Sequence, residues 1–147
     1  PGVSGTLSQS QGSSGYTGYE YAFEQQIPMA AVMNSAGFFL GPTLESFTAA
    51  ADEAIQSDTR VMLTNSSNPA AYPITSFTWI IMYKELAYGK HSSEAAEAAV
   101  KTVRWLISEE AQAIATSVHY AALPQNASLQ AEELLRGITY QGQTVLK

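Results

Sequence analysis

The run Tyr72-Pro73-Ile74-Thr75-Ser76-Phe77-Thr78-Trp79-Ile80-Ile81-Met82-Tyr83 decides the fold class. Beyond Pro73 it is β-branched and aromatic, and apolar on both faces. It is far shorter than the roughly 20 residues that cross a bilayer as a helix. A strand apolar on both sides is covered on both sides, as in the sheets of α/β proteins. Helical patterns flank it. Upstream, Pro42-Thr43 opens a stretch in which Leu44, Phe47, Ala51, Ala54 and Ile55 recur at spacings of three and four, which gives one apolar face. Downstream, Ser92-Ser93 with Glu94 and Glu97 suits a helix N-terminus. Ala96, Ala99, Val100, Val103, Leu106 and Ile107 then share one face for three turns. A further helix follows Ser108, with Ala111, Ile114 and Ala115 inward. A last one covers roughly Ala127–Arg136 and stops at Gly137. The class is mixed α/β.

Working outward, residues 1–18 are rich in Gly and Ser and carry no charge. Val3 and Leu7, four apart, allow one short helix before Gly12. Tyr19, Tyr21 and Phe23 alternate with smaller or polar residues, the pattern of a half-buried strand. Met29–Met33 and Phe38–Leu40 flank Asn34-Ser35-Ala36-Gly37, a hairpin whose turn needs the glycine. Asp58–Thr64 reads as a short strand. Asn65-Ser66-Ser67-Asn68-Pro69 is the strongest loop signal and marks a boundary. Gln141-Gly142-Gln143 is a turn near the end.

Composition restricts the function. The chain has 147 residues, 46% of them apolar, enough for a real core. Seven Lys+Arg stand against 13 Asp+Glu, for a net charge of -6. Phosphate backbones and anionic membranes call for clustered cations, so no nucleic-acid partner is expected. With no cysteine, thiol catalysis, disulfides and Cys-zinc sites are excluded. No basic-then-apolar signal segment opens the chain, and its first residue is Pro1, which suggests a processed or cut product.

The chemistry-bearing residues are sparse. His91 lies in a polar loop and His119 at a helix end, neither with a partner at metal-ligand spacing. The pairs Asp52-Glu53, Glu109-Glu110 and Glu132-Glu133 are adjacent, so on a helix each pair diverges, whereas acid–base catalysis needs convergent carboxyls. Gly2-Val3-Ser4-Gly5-Thr6 and Gly12-Ser13-Ser14-Gly15 look like anion-cradling loops, since backbone N–H groups and hydroxyls bind oxyanions; neither has a P-loop lysine. No nucleophile-elbow spacing exists. Tyr16, Tyr19 and Tyr21 can line a cleft, although strand tyrosines more often pack with the hydroxyl wet.

Five strings, in order, resemble the C-terminal half of the periplasmic phosphate-binding proteins that feed ABC transporters. Gly12-Ser13-Ser14-Gly15-Tyr16-Thr17-Gly18-Tyr19-Glu20-Tyr21-Ala22 is similar to that family's Gly-Tyr strand. Thr43-Leu44-Glu45-Ser46-Phe47-Thr48-Ala49-Ala50 resembles its following helix, and Tyr72-Pro73-Ile74-Thr75-Ser76-Phe77-Thr78 its crossover strand. Trp105, Glu109, Gln112 and Ala115 fall at its late-helix spacing, and Tyr120-Ala121-Ala122-Leu123-Pro124 looks like the turn after it.

The resemblance implies part of a two-lobed, type II periplasmic-binding-protein fold, with mixed sheets flanked by helices and phosphate between the lobes. Residues 1–68 would belong to lobe two and 69–147 to the chain returning to lobe one, with a hinge near 68–72. It implies a solute-binding, non-enzymatic role without a cofactor, a permease partner, and a periplasmic or extracellular location, lipid-anchored or soluble. The family grips phosphate through groups upstream of the matched segment, among them an Arg followed by Ser-Gly-Thr. The register sets Ser4-Gly5-Thr6 in the helix before the Gly-Tyr strand, so those contacts do not transfer to Ser4, Gly5 or Thr6. Tyr19 and Tyr21 remain the cleft-lining candidates. Such a chain is expected to need the missing N-terminal half, or to self-associate. The rival readings are a free-standing α/β protein-interaction domain on the same scaffold, and a hydrolase, which the lack of a nucleophile–base pair disfavours.

Overall fold

A computed structural model describes residues 2–51 and 59–146. The elements run α1 (Gly2–Gln9), α2 (Tyr19–Glu24), β1 (Val32–Met33), β2 (Phe39–Leu40), α3 (Leu44–Ala51), α4 (Ser93–Leu106), α5 (Glu109–Ser117), α6 (Gln125–Arg136), β3 (Thr139–Tyr140) and β4 (Gln143–Thr144). Ala54, Ile55, Asp52 and Glu53 lie outside the described residues, as does the start of the expected strand Asp58–Thr64.

The helix starts follow from their caps. Ser92 accepts from Ala95 N–H ahead of α4, and Ser108 accepts from Ala111 N–H ahead of α5, both at 3.3 Å. Thr43 and Ser46 bond reciprocally through hydroxyl and backbone N–H at 3.0 and 3.1 Å, a capping box that opens α3. Early acids agree with the helix dipole: Glu45, beside its own backbone N–H and the Thr43 hydroxyl, has its carboxyl held below the usual range.

The main core lies in the second half. Leu86, Ala96, Val100, Leu135 and Ile138 are buried together, with Met82, Val103, Ile107, Tyr140, Val145 and Leu146 packed against them. The helical face predicted for α4 is therefore only partly right: Ala96 and Val100 are buried, but Ala99 and Leu106 are exposed. In α5, Ala111 is buried and Ile114 is exposed.

Sheet structure is slight. β1 pairs antiparallel with β2 and β3 with β4; one parallel bridge joins Glu85 to Thr139. The loop of the first hairpin holds Gly37 at φ 86°, and the second turns through Gln141 (φ 50°) and Gly142 (φ 75°), the primed-turn backbone that glycine favours.

Three strand readings are corrected. Tyr19–Phe23 is helix α2. Its period-two pattern conceals a pair four residues apart, Tyr19 and Phe23, whose rings lie 5.6 Å apart on one helical face. Residues 59–64 form no strand. Residues 74–83 form neither strand nor helix, and Ile74, Trp79, Ile80, Ile81 and Tyr83 are exposed. Composition suits a residue to a pleated surface; a ladder also needs a neighbouring strand, and none among the described residues lies beside this run.

Candidate functional site

Five rings run in contact across the α2–α3 region. His119 lies 4.2 Å from Phe23, Phe23 5.6 Å from Tyr19, Tyr19 5.1 Å from Phe47, and Phe47 5.9 Å from Tyr72. All but the Phe23–Tyr19 contact join residues far apart in sequence, so the row ties the exit of α5 to α2, α3 and the loop after it. Tyr19, half-buried, thus packs edge-on against Phe47, the arrangement ring quadrupoles favour. Tyr21 is also half-buried. The Tyr120 hydroxyl is pushed up by a hydrogen bond to the Glu20 carboxylate, then by burial and the charges of Glu20 and Tyr21. Tyr16 is exposed. Next to the row, Leu44, Glu45, Thr48, Thr116 and Ala122 line an open groove of about 380 Å³.

The serine-rich start is built into helix rather than left as an anion cradle. Ser4 is buried on α1, and its Oγ accepts from Gln25 Nε2 at 3.1 Å. The Thr6 hydroxyl donates to the Gly2 carbonyl at 3.0 Å. Gly12 takes φ 77° where α1 has ended.

The segment 68–72 is bonded into its surroundings. Asn68 Nδ2 donates to the Ala49 carbonyl at 3.1 Å, Tyr72 N–H donates to the Ser46 carbonyl at 3.1 Å, and the Tyr72 hydroxyl donates to the Ala30 carbonyl at 3.4 Å. Asn34, which the sequence reading placed only in a turn, is buried and reaches the same segment. Its Nδ2 donates to the carbonyls of Pro69 (2.9 Å) and Ala71 (3.3 Å), and its Oδ1 accepts from Ala36 N–H and Phe38 N–H. The adjacent Ser35 hydroxyl donates to the Ser66 carbonyl at 2.7 Å.

The remaining candidates resolve into structural contacts. Glu132 joins Arg104 (2.9 Å) and Arg136 (3.3 Å), and Glu110 accepts from Trp105 Nε1 at 3.4 Å. His91 meets Tyr88 ring to ring at 5.1 Å, and its carbonyl accepts from the Tyr140 hydroxyl. His119 holds φ 67° directly after the α5 C-cap residue Val118. Among the described residues no group of three His, Asp or Glu could hold a metal, and no helix is long and apolar enough to cross a membrane.

Glu85 was not singled out by its sequence. One carboxylate oxygen accepts from Ala87 N–H (2.7 Å) and Gln141 N–H (2.9 Å), the other from the Thr139 hydroxyl (2.8 Å) and Gly142 N–H (3.1 Å). These bonds, that from Ala87 foremost, hold its carboxyl down at about 2. It clamps the β3–β4 turn onto the end of the 74–83 run.

Sequence comparison accounts for a scaffold with so little chemistry on it. The chain is 35% identical over 136 residues to the phosphate-binding protein PstS of Xylella fastidiosa (strain 9a5c), a match covering 89% of this chain and 35% of that protein. It is 30% identical over 149 residues to PstS of Pasteurella multocida, covering 99% of this chain and 40% of that protein. It is 31% identical over 139 residues to PstS of the archaeon Methanocaldococcus jannaschii, covering 87% of this chain and 35% of that protein. The chain is PstS-like. It spans little more than a third of the length of these curated relatives. No family model matches it. The relatives are named as binding proteins, not as enzymes.

Proposed function

We propose that this chain is one part of a phosphate-capturing solute-binding protein of an ABC transporter, and has no enzymatic activity. The observation that carries this reading is 30–35% identity to phosphate-binding proteins over most of the chain. The site geometry agrees: α2, α3 and α5 meet through packed rings and satisfied hydrogen bonds, and the polar groups of α1 are occupied by the helix and Gln25. That is scaffold chemistry. In this reading the fold is a share of a two-lobed periplasmic-binding-protein fold, and the groups that grip phosphate come from polypeptide outside these residues.

Residues 1–68 then serve lobe two and 69–147 the return to lobe one, with Tyr19 and Tyr21 toward the cleft. The crossing lies near 68–72. Because Asn68 and Tyr72 are tied to α3, rotation there falls at the downstream end, beside Tyr72-Pro73. The permease partner and a periplasmic or extracellular location follow from the same reading.

The test is a chimera in which this chain replaces the matched residues of the Xylella fastidiosa relative. Calorimetric titration with inorganic phosphate should show one saturable site, weaker or absent for sulfate. A folded chimera indifferent to phosphate contradicts the reading and favours a free-standing interaction domain.

A further inference from the structure

Two Asn-x-Ser triplets without a middle proline occur in the chain, Asn65-Ser66-Ser67 and Asn126-Ala127-Ser128. This is the acceptor pattern for an N-linked glycan, a bulky group that belongs on an exposed loop. The pattern is read as a unit, so the asparagine and the hydroxyl two residues on must be reached together. The fold treats the two triplets differently.

Asn126 is the second residue of α6 (Gln125–Arg136). Residues two apart on a helix do not face one another, so Asn126 and Ser128 point to different sides. Although Asn126 is exposed, Ser128 is half-buried, and Asn126 Oδ1 accepts from Ala127 N–H at 2.8 Å. The helix breaks up this triplet.

Asn65 stands in a loop, outside every helix and strand. It holds φ 56°, the left-handed backbone in which asparagine is enriched. The loop is pinned by its main chain. Asn65 N–H donates to the Pro73 carbonyl at 2.8 Å, and buried Ser66 accepts from the Ser35 hydroxyl through its carbonyl (2.7 Å) and from Asn68 N–H through its Oγ (3.1 Å). The Asn65 amide, by contrast, makes no hydrogen bond among the described residues, and both Asn65 and Ser67 are exposed. The nucleophilic amide and the second serine are thus the outward members of a fixed turn. No charged residue lies between Arg60 and Lys84, and Met62, three residues before Asn65, is 78% exposed. A solubilising group at Asn65 stands beside this uncharged surface.

We propose that Asn65 is an N-glycosylation site and that Asn126 is not. The co-substrate class is a lipid-linked oligosaccharide diphosphate. Asn65 Nδ2 bonds to its anomeric carbon as the C–O bond to the diphosphate breaks. The lipid diphosphate leaves with the electron pair, and the amide gives up one proton to solvent. Transfer of this kind takes place outside the cytoplasm, so its occurrence in the cell rests on the periplasmic or extracellular location proposed above; the competence of the site does not.

The test combines the purified, folded chain with a lipid-linked oligosaccharide and an oligosaccharyltransferase that reads Asn-x-Ser/Thr, followed by intact mass and peptide mapping. One glycan should add, on Asn65. Asn65→Gln and Ser67→Ala should each abolish the mass shift, whereas Ser67→Thr and Asn126→Gln should keep it. In tryptic peptides, where α6 is lost, Asn126 should react as well. A folded chain that stays unmodified, or one glycosylated at Asn126, overturns the assignment. The chimera with the Xylella fastidiosa relative separates this site from the functional reading. A glycan on Asn65 of a chimera indifferent to phosphate upholds the site against that reading; a phosphate-binding chimera left unmodified does the reverse.

Discussion

Asn34 Nδ2 donates to the Pro69 carbonyl at 2.9 Å, which fastens the β1–β2 turn to a loop 35 residues further along. The same side chain receives two backbone N–H groups of its own turn, so one buried amide closes the hairpin and holds the loop at Pro69–Ala71.

Asn34→Ala should therefore destabilise the protein by about 2 kcal/mol, because it strands buried backbone donors and acceptors besides losing its own bonds. Urea unfolding measures this. Asn34→Asp keeps the acceptor but turns a carboxylate oxygen toward the Pro69 carbonyl, and should be no milder. A loss below about 0.5 kcal/mol for either contradicts the role given to Asn34.

Glu85 predicts an acid-sensitive hairpin. Its carboxyl is held at about 2, well below the 4.5 of a free glutamate. A depressed folded value means stability that is fully present above about 4.5 and lost as pH falls toward about 2. Melting temperature followed across that window should fall more steeply for the native chain than for Glu85→Gln, which already lacks the charge-assisted bonds. Parallel curves for the two proteins contradict the clamp.

Val100 and Ile81 should behave oppositely despite similar chemistry. Val100 is 0% exposed in the α4–α6 core. Val100→Ala should cost about 2 kcal/mol through lost transfer energy and the cavity left behind. In the isolated chain Ile81→Ala should stay within about 0.5 kcal/mol, since Ile81 is already in water. Paired denaturation curves check both.

Much of the fold was legible locally. Ser92 and Ser108 announced α4 and α5 because a cap acts within one turn; Asn34–Gly37 marked the first hairpin, and Gln141–Gly142 a turn, because their backbones demand particular residues. Tyr19-Glu20-Tyr21-Ala22-Phe23 misled because so short a stretch cannot separate alternation from a four-residue spacing. The 74–83 run had the composition of a strand, but pairing depends on what lies alongside it. Glu85 could not be found by spacing, since its partners Thr139, Gln141 and Gly142 are 54 to 57 residues away. For the candidate site, the sequence pointed to Tyr19 and Tyr21 as individual residues, and the ring row through Phe23, Phe47, Tyr72 and His119 emerged only from tertiary packing.

The most direct measurement is calorimetric titration of the chain, by itself, with inorganic phosphate. Under the proposed function no saturable heat is expected, because the groups that grip the oxyanion would then come from residues outside these 147. Tight, stoichiometric phosphate binding by this chain alone, abolished by Ser4→Ala or Thr6→Ala, would contradict it.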